Sequence, residues 1–532
     1  MSAEKKKNLN NLIARIIDRV GNPVNENVIV STIESLGIRN KDTQNDYGIN
    51  SIFELAKEIY NRIKSDNPKQ LKNLNERLKL EKETVNISSY FFLRTKLFLK
   101  YFPLGLIYFF PIFIQIVAIL IFSYSIWTYL GFHPLQSTAV VFGVILGLIS
   151  TGGFVQVIGK QSSFYWYNND LPNTKKSIYD ILKTGIKFMA GMFLFILIAN
   201  FFLNLYPFSF FSIAFTYAFL IGLLLLFLAP MHTIKQRWVI SVAVFIGTGV
   251  AILLKLYSGL HIYITHWIGI AIAIGIMAIY LRWFFKDIKS VGNNKRQIDQ
   301  GLVIIYKNYQ YFFYGLLIYV FLFIDRILAW STMENEMPFI VYYEVHYEVG
   351  MDIAILMFFL LAGVIEYNIA SFSKMLNLQV KSTPHKEFKK FNQMFYDAYY
   401  RQSLLLIINS IAIFIFMFLI ITRQWGYNAF FEEPLNFISK KVSLIGALGY
   451  MFFTWGVLNS LYLFSLDRPK PAVHAVIFAI VINIFVGLIL SRLFSYEYSA
   501  IGMVVGAFVF MALTAKACLN CFKNLDYYYA TR

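Results

Sequence analysis

Long apolar runs recur along this 532-residue chain, and each has about the length that crosses a bilayer as a helix, roughly 20 residues. Hydrophobic residues make up 58% of the chain and charged residues only 15%, too little charge to cover a soluble protein of this size. We therefore predict an all-α polytopic membrane protein. The predicted spans, about twelve in number, cover residues 103–126, 136–158, 184–204, 208–229, 238–257, 264–284, 309–330, 349–372, 402–422, 442–465, 471–491 and 499–521.

Most of the net charge of +18 lies in the connections between these apolar runs. Residues 1–85 contain 15 Lys and Arg against 12 Asp and Glu, so most of the excess lies further along the chain. It is concentrated in alternate connections, for example at Lys160, Lys235, Lys286 and Arg468. Because Lys and Arg accumulate in cytoplasmic loops, we predict a multi-pass protein of the cell inner membrane with both termini cytoplasmic, and no nucleic-acid partner.

The front of the chain differs from the rest because it is polar and amphipathic. Apolar residues of NLNNLIARIIDRV recur at helical spacing, a second helix should stop at Gly37, and a third should begin at Ser51, where Glu54 completes a capping box. This segment is either a cytosolic adaptor for a partner or a regulatory or vestigial cap. The predicted organisation is a soluble helical N-terminal segment (1–85), an interfacial amphipathic helix (86–102), a first lobe (103–284), a basic cytoplasmic linker (285–308), a second lobe (309–521) and a cytoplasmic tail (522–532).

A repeat in organisation supports the two lobes. The connections after the second and eighth predicted spans, residues 159–183 and 373–401, are both long, basic and aromatic, and they lie six spans apart. This pattern predicts two six-helix lobes related by a parallel repeat. In transporters of that kind the substrate passes between the halves.

Two adjacent charges interrupt the apolar stretch FIDRILAW. Asp325 and Arg326 are neighbours in sequence, so on a helix they point about 100° apart and cannot simply face each other. Two roles remain open: a charged gate or ligand contact in an outward cavity, or an interhelical salt bridge near the outer interface.

The connection that follows is acidic. It carries Glu344 and Glu348 with no Lys or Arg between residues 331 and 348, and Asp352 opens the next span. An outer vestibule of this kind would favour a cationic or amino-sugar ligand, although these carboxylates could equally serve only to solvate a loop.

Further polar residues stand near the inner ends of spans. Glu366 is expected to pair with Arg401 or Lys374, or to take up a proton during transport. Gln156 and Lys160 end the second span. The predicted transport-path residues are Asp325, Arg326, Asp352, Glu366, Gln156 and Lys160, with Glu344 and Glu348 in the outer vestibule.

Signals for catalysis or metal binding are weak. Cys518 and Cys521 form a C-x-x-C pair, which can indicate redox or metal chemistry, but residues three apart on a helix also simply share a face. The histidines show no metal-ligand spacing, and there is no P-loop, nucleophile elbow or HExxH motif. We therefore predict a protein that is not an enzyme, with no catalytic residue, metal or cofactor.

Twelve spans in two halves, with long amphipathic inner connections after spans two and eight, resemble the multidrug/oligosaccharidyl-lipid/polysaccharide (MOP) exporter superfamily. Within it, the second half resembles the membrane exporter subunit of Pel-type exopolysaccharide systems, on the segments FIDRILAW, YEVGMDIAILMFFLLAGVIEYNIASFSKML, SLYLFSLDRP and FKNLDYYYATR. The resemblance covers roughly residues 90–532. The helical segment in front of it departs from the usual family member.

The resemblance implies export of an exopolysaccharide between the two lobes, in concert with a cytosolic glycosyltransferase. The expected partners are a polysaccharide or lipid-linked glycan, that glycosyltransferase and membrane lipids. A lipid-linked oligosaccharide flippase or a cation-coupled drug antiporter of the same superfamily is the alternative. A membrane-embedded glycosyltransferase is a further alternative, which would need more extracytoplasmic scaffold than this chain offers.

Overall fold

A computed structural model describes residues 3–20, 23, 25–66, 87–107, 109–168, 170–288, 301–332, 339–382, 388–431 and 434–530. The chain divides into two compact units, Met1–Arg94 and Thr95–Arg532. Most of the predicted basic linker, from residue 289 to 300, lies outside the described residues.

The longer helices of the N-terminal unit include α1 (Ala3–Val20), α2 (Glu26–Ser35) and α3 (Ile52–Asp66), with short helical turns at Asn40–Asp42 and Thr43–Tyr47 between α2 and α3. The side chain of Asn25 caps α2 by accepting a hydrogen bond from the Val28 amide at 3.0 Å. Gly37 follows the helix with a φ of 81°, a left-handed conformation that glycine adopts without strain. At the start of α3 the Ser51 hydroxyl accepts from the Glu54 amide at 3.2 Å.

One apolar face of each of these helices contributes to a small shared core. Its members recur at helical spacing in the sequence, and they include Leu9, Leu12, Ile16, Ile29, Ile33, Leu55 and Ile59. A core of this size supplies limited stability, because a short chain buries only part of its surface on folding.

The described part of the membrane unit consists of helices joined by turns and short connections. Its main helices are α4 (Ile87–Leu106, which begins in the N-terminal unit), α5 (Phe110–Phe122), α6 (Pro134–Val157), α7 (Leu171–Leu203), α8 (Phe208–Thr233), α9 (Arg237–Tyr257), α10 (Ile262–Phe284), α11 (Gly301–Lys307), α12 (Tyr309–Trp330), α13 (Val345–Ala354), α14 (Leu356–Ser382), α15 (Phe388–Thr422), α16 (Phe437–Ser465), α17 (Lys470–Leu493) and α18 (Ser499–Lys523).

Among the described residues, 11 helices are long and apolar enough to cross a membrane, with α13 and α14 counted as one span. A twelfth span is formed if the pair α4 and α5, bent by 52°, crosses as one. The predicted all-α polytopic fold is thus observed. Residues 86–102, predicted as an interfacial helix, belong largely to α4, which runs on to Leu106.

The connections predicted after the second and eighth spans are largely helical. Helix α6 continues through further helical turns to Tyr167, α7 has 33 residues, and α15 has 35. At 1.5 Å per residue α7 is about 50 Å long, longer than the hydrocarbon core. The polar residues expected in loops instead extend the helices beyond the apolar region, because few helix breakers interrupt them.

Two separate apolar cores mark the two lobes. One is built from α6 to α10 (the N-lobe, together with α5 and the end of α4 from residue 103), and the other from α12 to α18, with Ile145 of α6 packed against it (the C-lobe). The lobes meet where α6 crosses α12 and where α4 crosses α14. A Cβ atom on Gly315 would lie 2.3 Å from the Gly152 carbonyl oxygen, and one on Gly105 would lie 2.6 Å from the Gly363 Cα. Glycines therefore allow the closest backbone approaches between the lobes.

The two ends of the bundle differ in charge. We call one end the basic face, because the helix ends there carry Lys160, Lys235, Lys286, Lys374 and Arg468. The other end is called the opposite face. It includes the connection between α7 and α8 and the segment that precedes α13.

Candidate transport site

A cavity of about 490 Å³ lies between the two lobes; we call it the chamber. Its walls come from α5, α6, α8 and α9 on one side and from α12, α14 and α16 on the other. Apolar and aromatic side chains form most of the lining, for example Leu148, Leu228, Phe323, Phe358 and Phe453. The wall of the chamber is therefore mostly apolar.

The polar part of the chamber is close to the basic face. Gln156 near the end of α6, His232 near the end of α8 and Arg237 at the start of α9 all line it there. Tyr314 lines it from the first turns of α12. A ligand in the chamber would thus meet hydrogen-bonding groups at one end and an apolar surface along the rest.

An ion pair joins the lobes at this polar end. Two guanidinium nitrogens of Arg237 lie 3.3 Å from one carboxylate oxygen of Glu366 on α14. The exposed fractions of the two side chains are 23% and 28%. Glu366 was expected to pair with Arg401 or Lys374; the described structure gives it a partner from the other lobe instead.

A second ion pair joins the lobes on the basic face. The ammonium of Lys160, in the turn that continues α6, lies 2.5 Å from Asp467 Oδ1 between α16 and α17. The Tyr311 hydroxyl donates to the same oxygen at 2.7 Å. Lys160 also lies over the Tyr311 ring, 5.1 Å from its centroid. Asp467 therefore binds groups from both lobes at once.

Neutral hydrogen bonds join the lobes at the opposite face. The Tyr206 hydroxyl donates to the Val341 carbonyl at 2.7 Å and accepts from the Val341 amide at 3.1 Å. The Tyr343 amide donates to the Thr138 hydroxyl at 3.1 Å. Burial raises the pKa of Tyr206 above its ordinary value, so this hydroxyl keeps its proton and can donate. The lobes are thus in contact at both ends of the chamber.

A group of ionisable side chains lies inside the C-lobe, and we call Asp325, Arg326, Glu348 and Asp352 the charge cluster. Arg326 pairs with Glu348, and its Nη1 atom also lies 3.0 Å from Asp352 Oδ1. The exposed fractions are 5% for Arg326 and 1% for Glu348, against 67% for Asp352. Two carboxylates therefore share one guanidinium, and one of them, Glu348, is deep in the lobe.

Asp325 has different neighbours from Arg326, as the helical geometry requires. The Tyr347 hydroxyl donates to Asp325 Oδ2 at 2.8 Å. The Ser499 hydroxyl lies 2.9 Å from both the Asp325 carbonyl oxygen and the Tyr347 hydroxyl. Beside the cluster, burial and the charges of Glu348 and Asp352 raise the pKa of Tyr343 well above its ordinary value.

The predicted site residues thus fall into three places. Gln156 lines the chamber, and Lys160 and Glu366 form ion pairs between the lobes. The members of the charge cluster, Asp325, Arg326, Glu348 and Asp352, lie within the C-lobe and do not line the chamber. Glu344 is half-buried just before α13. Glu348, expected in an open vestibule, is instead buried against Arg326, because the turn of α13 points it inward.

Sequence reasoning missed His232, Arg237, Tyr206 and Asp467. Asp467 offered one signal, since it is an acid in an otherwise basic connection. The two cysteines are buried thiols on α18, with Cys518 Sγ 3.3 Å from the Asn459 carbonyl oxygen. Within the described ranges no group of three or more His, Cys, Asp or Glu could hold a metal ion.

Solved structures share this arrangement of helices. A structure of MATE in the straight conformation matches with a TM-score of 0.56, covering 82% of this chain and 97% of that chain. The chain has the MATE fold. An outward-facing conformation of a multidrug resistance MATE family transporter of the MOP superfamily matches with a TM-score of 0.54, covering 82% of this chain and 97% of that one. An inward-facing conformation matches with a TM-score of 0.52, covering 78% and 99%.

Sequence identity to these structures is only 12–13%, so they establish the fold rather than a shared activity. No protein-family model matches the sequence, and no curated protein matches it. The matched proteins are transporters of the MOP superfamily, in agreement with the architecture that the sequence predicts.

Proposed function

We propose that this protein is a MOP-type membrane transporter that moves a solute through the chamber by opening it alternately at its two ends. The observation that carries the proposal is the chamber itself, which lies between two lobes that touch at both faces. Opening the basic face requires the pairs Lys160–Asp467 and Arg237–Glu366 to separate. Opening the opposite face requires Tyr206 to leave Val341.

These contacts are weak enough to exchange. Both ion pairs are partly exposed, and exposed pairs typically contribute about 0–1 kcal/mol each. The backbones of the two lobes approach most closely at Gly315 and Gly105, and these crossings form the axis about which the lobes rock in the proposed cycle. A solute that binds one arrangement better than the other would shift the balance between them.

The cargo we propose is an exopolysaccharide, delivered by a cytosolic glycosyltransferase to an inner-membrane exporter with cytoplasmic termini. The support is the resemblance of the second half to Pel-type exporter subunits. The chamber also presents Trp127, Tyr314 and Tyr319, and aromatic rings suit the apolar faces of sugars.

A second cargo class, an amphipathic drug-like molecule, is favoured by the apolar wall of the chamber. Its volume of about 490 Å³ is within the range of pockets that hold drug-sized ligands, about 300–1,000 Å³. Each sugar hydroxyl left unpaired against such a wall would cost about 1–3 kcal/mol. The matched multidrug resistance transporters share this fold.

Blocking the chamber tests the transport proposal. Leu148 lines the chamber, so Leu148→Trp should fill it and abolish transport while the protein still accumulates in the membrane. The matched control is Leu194→Trp on α7, whose side chain is 57% exposed and should tolerate the larger ring. Equal activity of the two variants would show that the chamber is not the path.

Two assays separate the cargoes. In cells, polymer should accumulate inside and disappear from the medium when Leu148→Trp replaces the wild type. In proteoliposomes, the wild type should not move a fluorescent lipophilic cation. Movement of that dye, with unchanged secretion of polymer, would favour the drug-like cargo.

A further inference from the structure

A second cavity, of about 800 Å³, opens beside α7 at the basic face; we call it the lysine pocket. Lys176, Lys183 and Lys187 line it, and their spacing of seven and four residues places them on one side of the helix. All three residues are exposed. Asp180 is the one acid among the described residues that line the pocket, so its side chains carry a net charge of about +2.

The floor of the lysine pocket is aromatic. The ring centroid of Phe312 lies 5.0 Å from that of Phe154 and 6.2 Å from that of Phe188, both with edge-to-face geometry. Phe154 and Phe188 themselves are 5.4 Å apart. Charged groups therefore stand at the rim of an apolar surface, an arrangement that suits a ligand with an anionic head and an apolar body.

Helix α11 forms the other wall. It packs closely on α7 at Gly301, where a Cβ atom would lie 2.4 Å from the Thr184 hydroxyl oxygen. Leu302 and Ile305 of the same helix line the pocket, and Leu302 is 70% exposed. The pocket thus joins the N-lobe to the helix that leads into the C-lobe, with apolar surface open to its surroundings.

The length of α7 sets the depth of the lysines in the membrane. Its second half exposes a continuous apolar surface that includes Leu194, Phe195, Phe201 and Phe202, as expected for contact with acyl chains. A hydrocarbon core of about 30 Å takes up about 20 residues. Counted back from Leu203, that length reaches Thr184, so Lys183 stands at the headgroup level, Lys187 one turn inside it and Lys176 about two turns outside the hydrocarbon core.

We propose that the lysine pocket binds an anionic phospholipid of the leaflet at the basic face. The phosphate lies among Lys176, Lys183 and Lys187, and an acyl chain lies along the aromatic floor and Leu302. A lipid matches both halves of the pocket, since a soluble anion would leave the aromatic floor unused. The bound lipid contacts α7, α11 and α12 together, and it does so whichever cargo the chamber carries.

The experiment measures lipid binding to the purified full-length protein in detergent by native mass spectrometry. We expect phosphatidylglycerol to bind more tightly than phosphatidylcholine. Since each lysine near an anionic surface contributes roughly fivefold to binding, the triple variant Lys176→Gln, Lys183→Gln, Lys187→Gln should weaken phosphatidylglycerol binding about 100-fold. The variant that replaces the same three lysines by Arg should bind as the wild type does.

A matched control removes the same charge elsewhere on the basic face. Lys286, Lys389 and Lys516 are exposed and do not line the pocket, so their joint replacement by Gln should leave the tight site intact. Equal loss of binding in the two triple variants would overturn the proposal in favour of diffuse attraction. Equal binding of sn-glycerol 3-phosphate, which has no acyl chains, would overturn the assignment to a lipid.

Discussion

The two lobes share a helical architecture but fill their interiors differently near the opposite face. In the N-lobe, the Nδ1 atom of His266, near the start of α10, is hydrogen-bonded to the Tyr217 hydroxyl at 2.7 Å, and the hydroxyls of Tyr124 and Thr265 are hydrogen-bonded to each other at 2.8 Å. These side chains are all buried. At a comparable distance from the same face, the C-lobe holds the charge cluster around Arg326.

The contrast indicates how much stability each lobe should lose when one of its buried polar side chains is replaced. The N-lobe distributes its polar contacts over several neutral pairs, so the loss of one pair leaves the others. Burial raises the pKa of Tyr124 to about 12, so its hydroxyl stays neutral at ordinary pH. In the C-lobe, the carboxylates of Glu348 and Asp352 both depend on the Arg326 guanidinium. Removing one partner of a buried ion pair is far costlier than removing a neutral hydrogen bond.

The largest effect should come from Arg326→Met. This change leaves Glu348 buried without its counter-charge and should lower the free energy of unfolding by about 3–5 kcal/mol. Denaturant unfolding of the purified protein in detergent measures it. The control is Arg492→Met, because Arg492 is exposed and, among the described residues, donates to Ser331 at the end of α12. Similar stability of the two variants would contradict the importance given to the charge cluster.

A smaller loss is expected when both partners are removed. The double variant Arg326→Met, Glu348→Gln no longer buries an unpaired charge at Glu348, so it should recover about 2 kcal/mol relative to Arg326→Met. The same unfolding measurement, with Glu348→Gln alone, completes a double-mutant cycle. Purely additive effects would mean that the two side chains do not stabilise each other.

In the N-lobe, Tyr217→Phe should cost about 1–2 kcal/mol, because it removes one neutral hydrogen bond from His266. The comparison between the lobes requires this loss to be well below that of Arg326→Met in the same assay. Tyr257→Phe is a suitable control, since Tyr257 is 85% exposed. If Tyr217→Phe lowered the free energy of unfolding as much as Arg326→Met does, the two lobes would not differ in their sensitivity to the loss of a polar partner.

The smallest effect on stability should come from the Lys160–Asp467 contact between the lobes. Asp467→Asn removes the charge that holds Lys160, and we expect less than about 1 kcal/mol in stability but a two- to fivefold shift toward opening at the basic face. A membrane-impermeant thiol reagent measures the shift at Gln156→Cys, with Cys518 and Cys521 replaced by Ser. Asp397→Asn, an exposed acid of α15, is the control. Unchanged labelling would show that this pair does not restrain the lobes.

Local pattern made much of the fold predictable. The apolar run at 208–229 forms α8. Neighbouring residues on a helix point about 100° apart, and Asp325 and Arg326 accordingly have different partners. Partners distant in sequence were beyond such reasoning. Glu366 meets Arg237 across 129 residues because two lobes come together, and no periodicity encodes that contact.

The candidate site was only partly predictable for a related reason. Hydropathy marks a charge at bilayer depth but does not tell a cavity wall from a lobe interior. Gln156 lines the chamber, whereas Glu348 turns into the C-lobe, and both read as polar residues near a span end. The chamber's apolar lining gave no signal, since its side chains look like any other core residue.

One carboxylate oxygen of Asp467 binds both Lys160 and Tyr311, and this arrangement suits a contact that is broken and formed again. In the proposed opening of the basic face, Lys160 would leave with the N-lobe, while Tyr311 is on the same lobe as Asp467 and would keep donating to it. The Asp467 carboxylate would therefore always keep one hydrogen-bond partner. Breaking its contact with Lys160 then costs little free energy, and forming it again needs no rearrangement of the C-lobe.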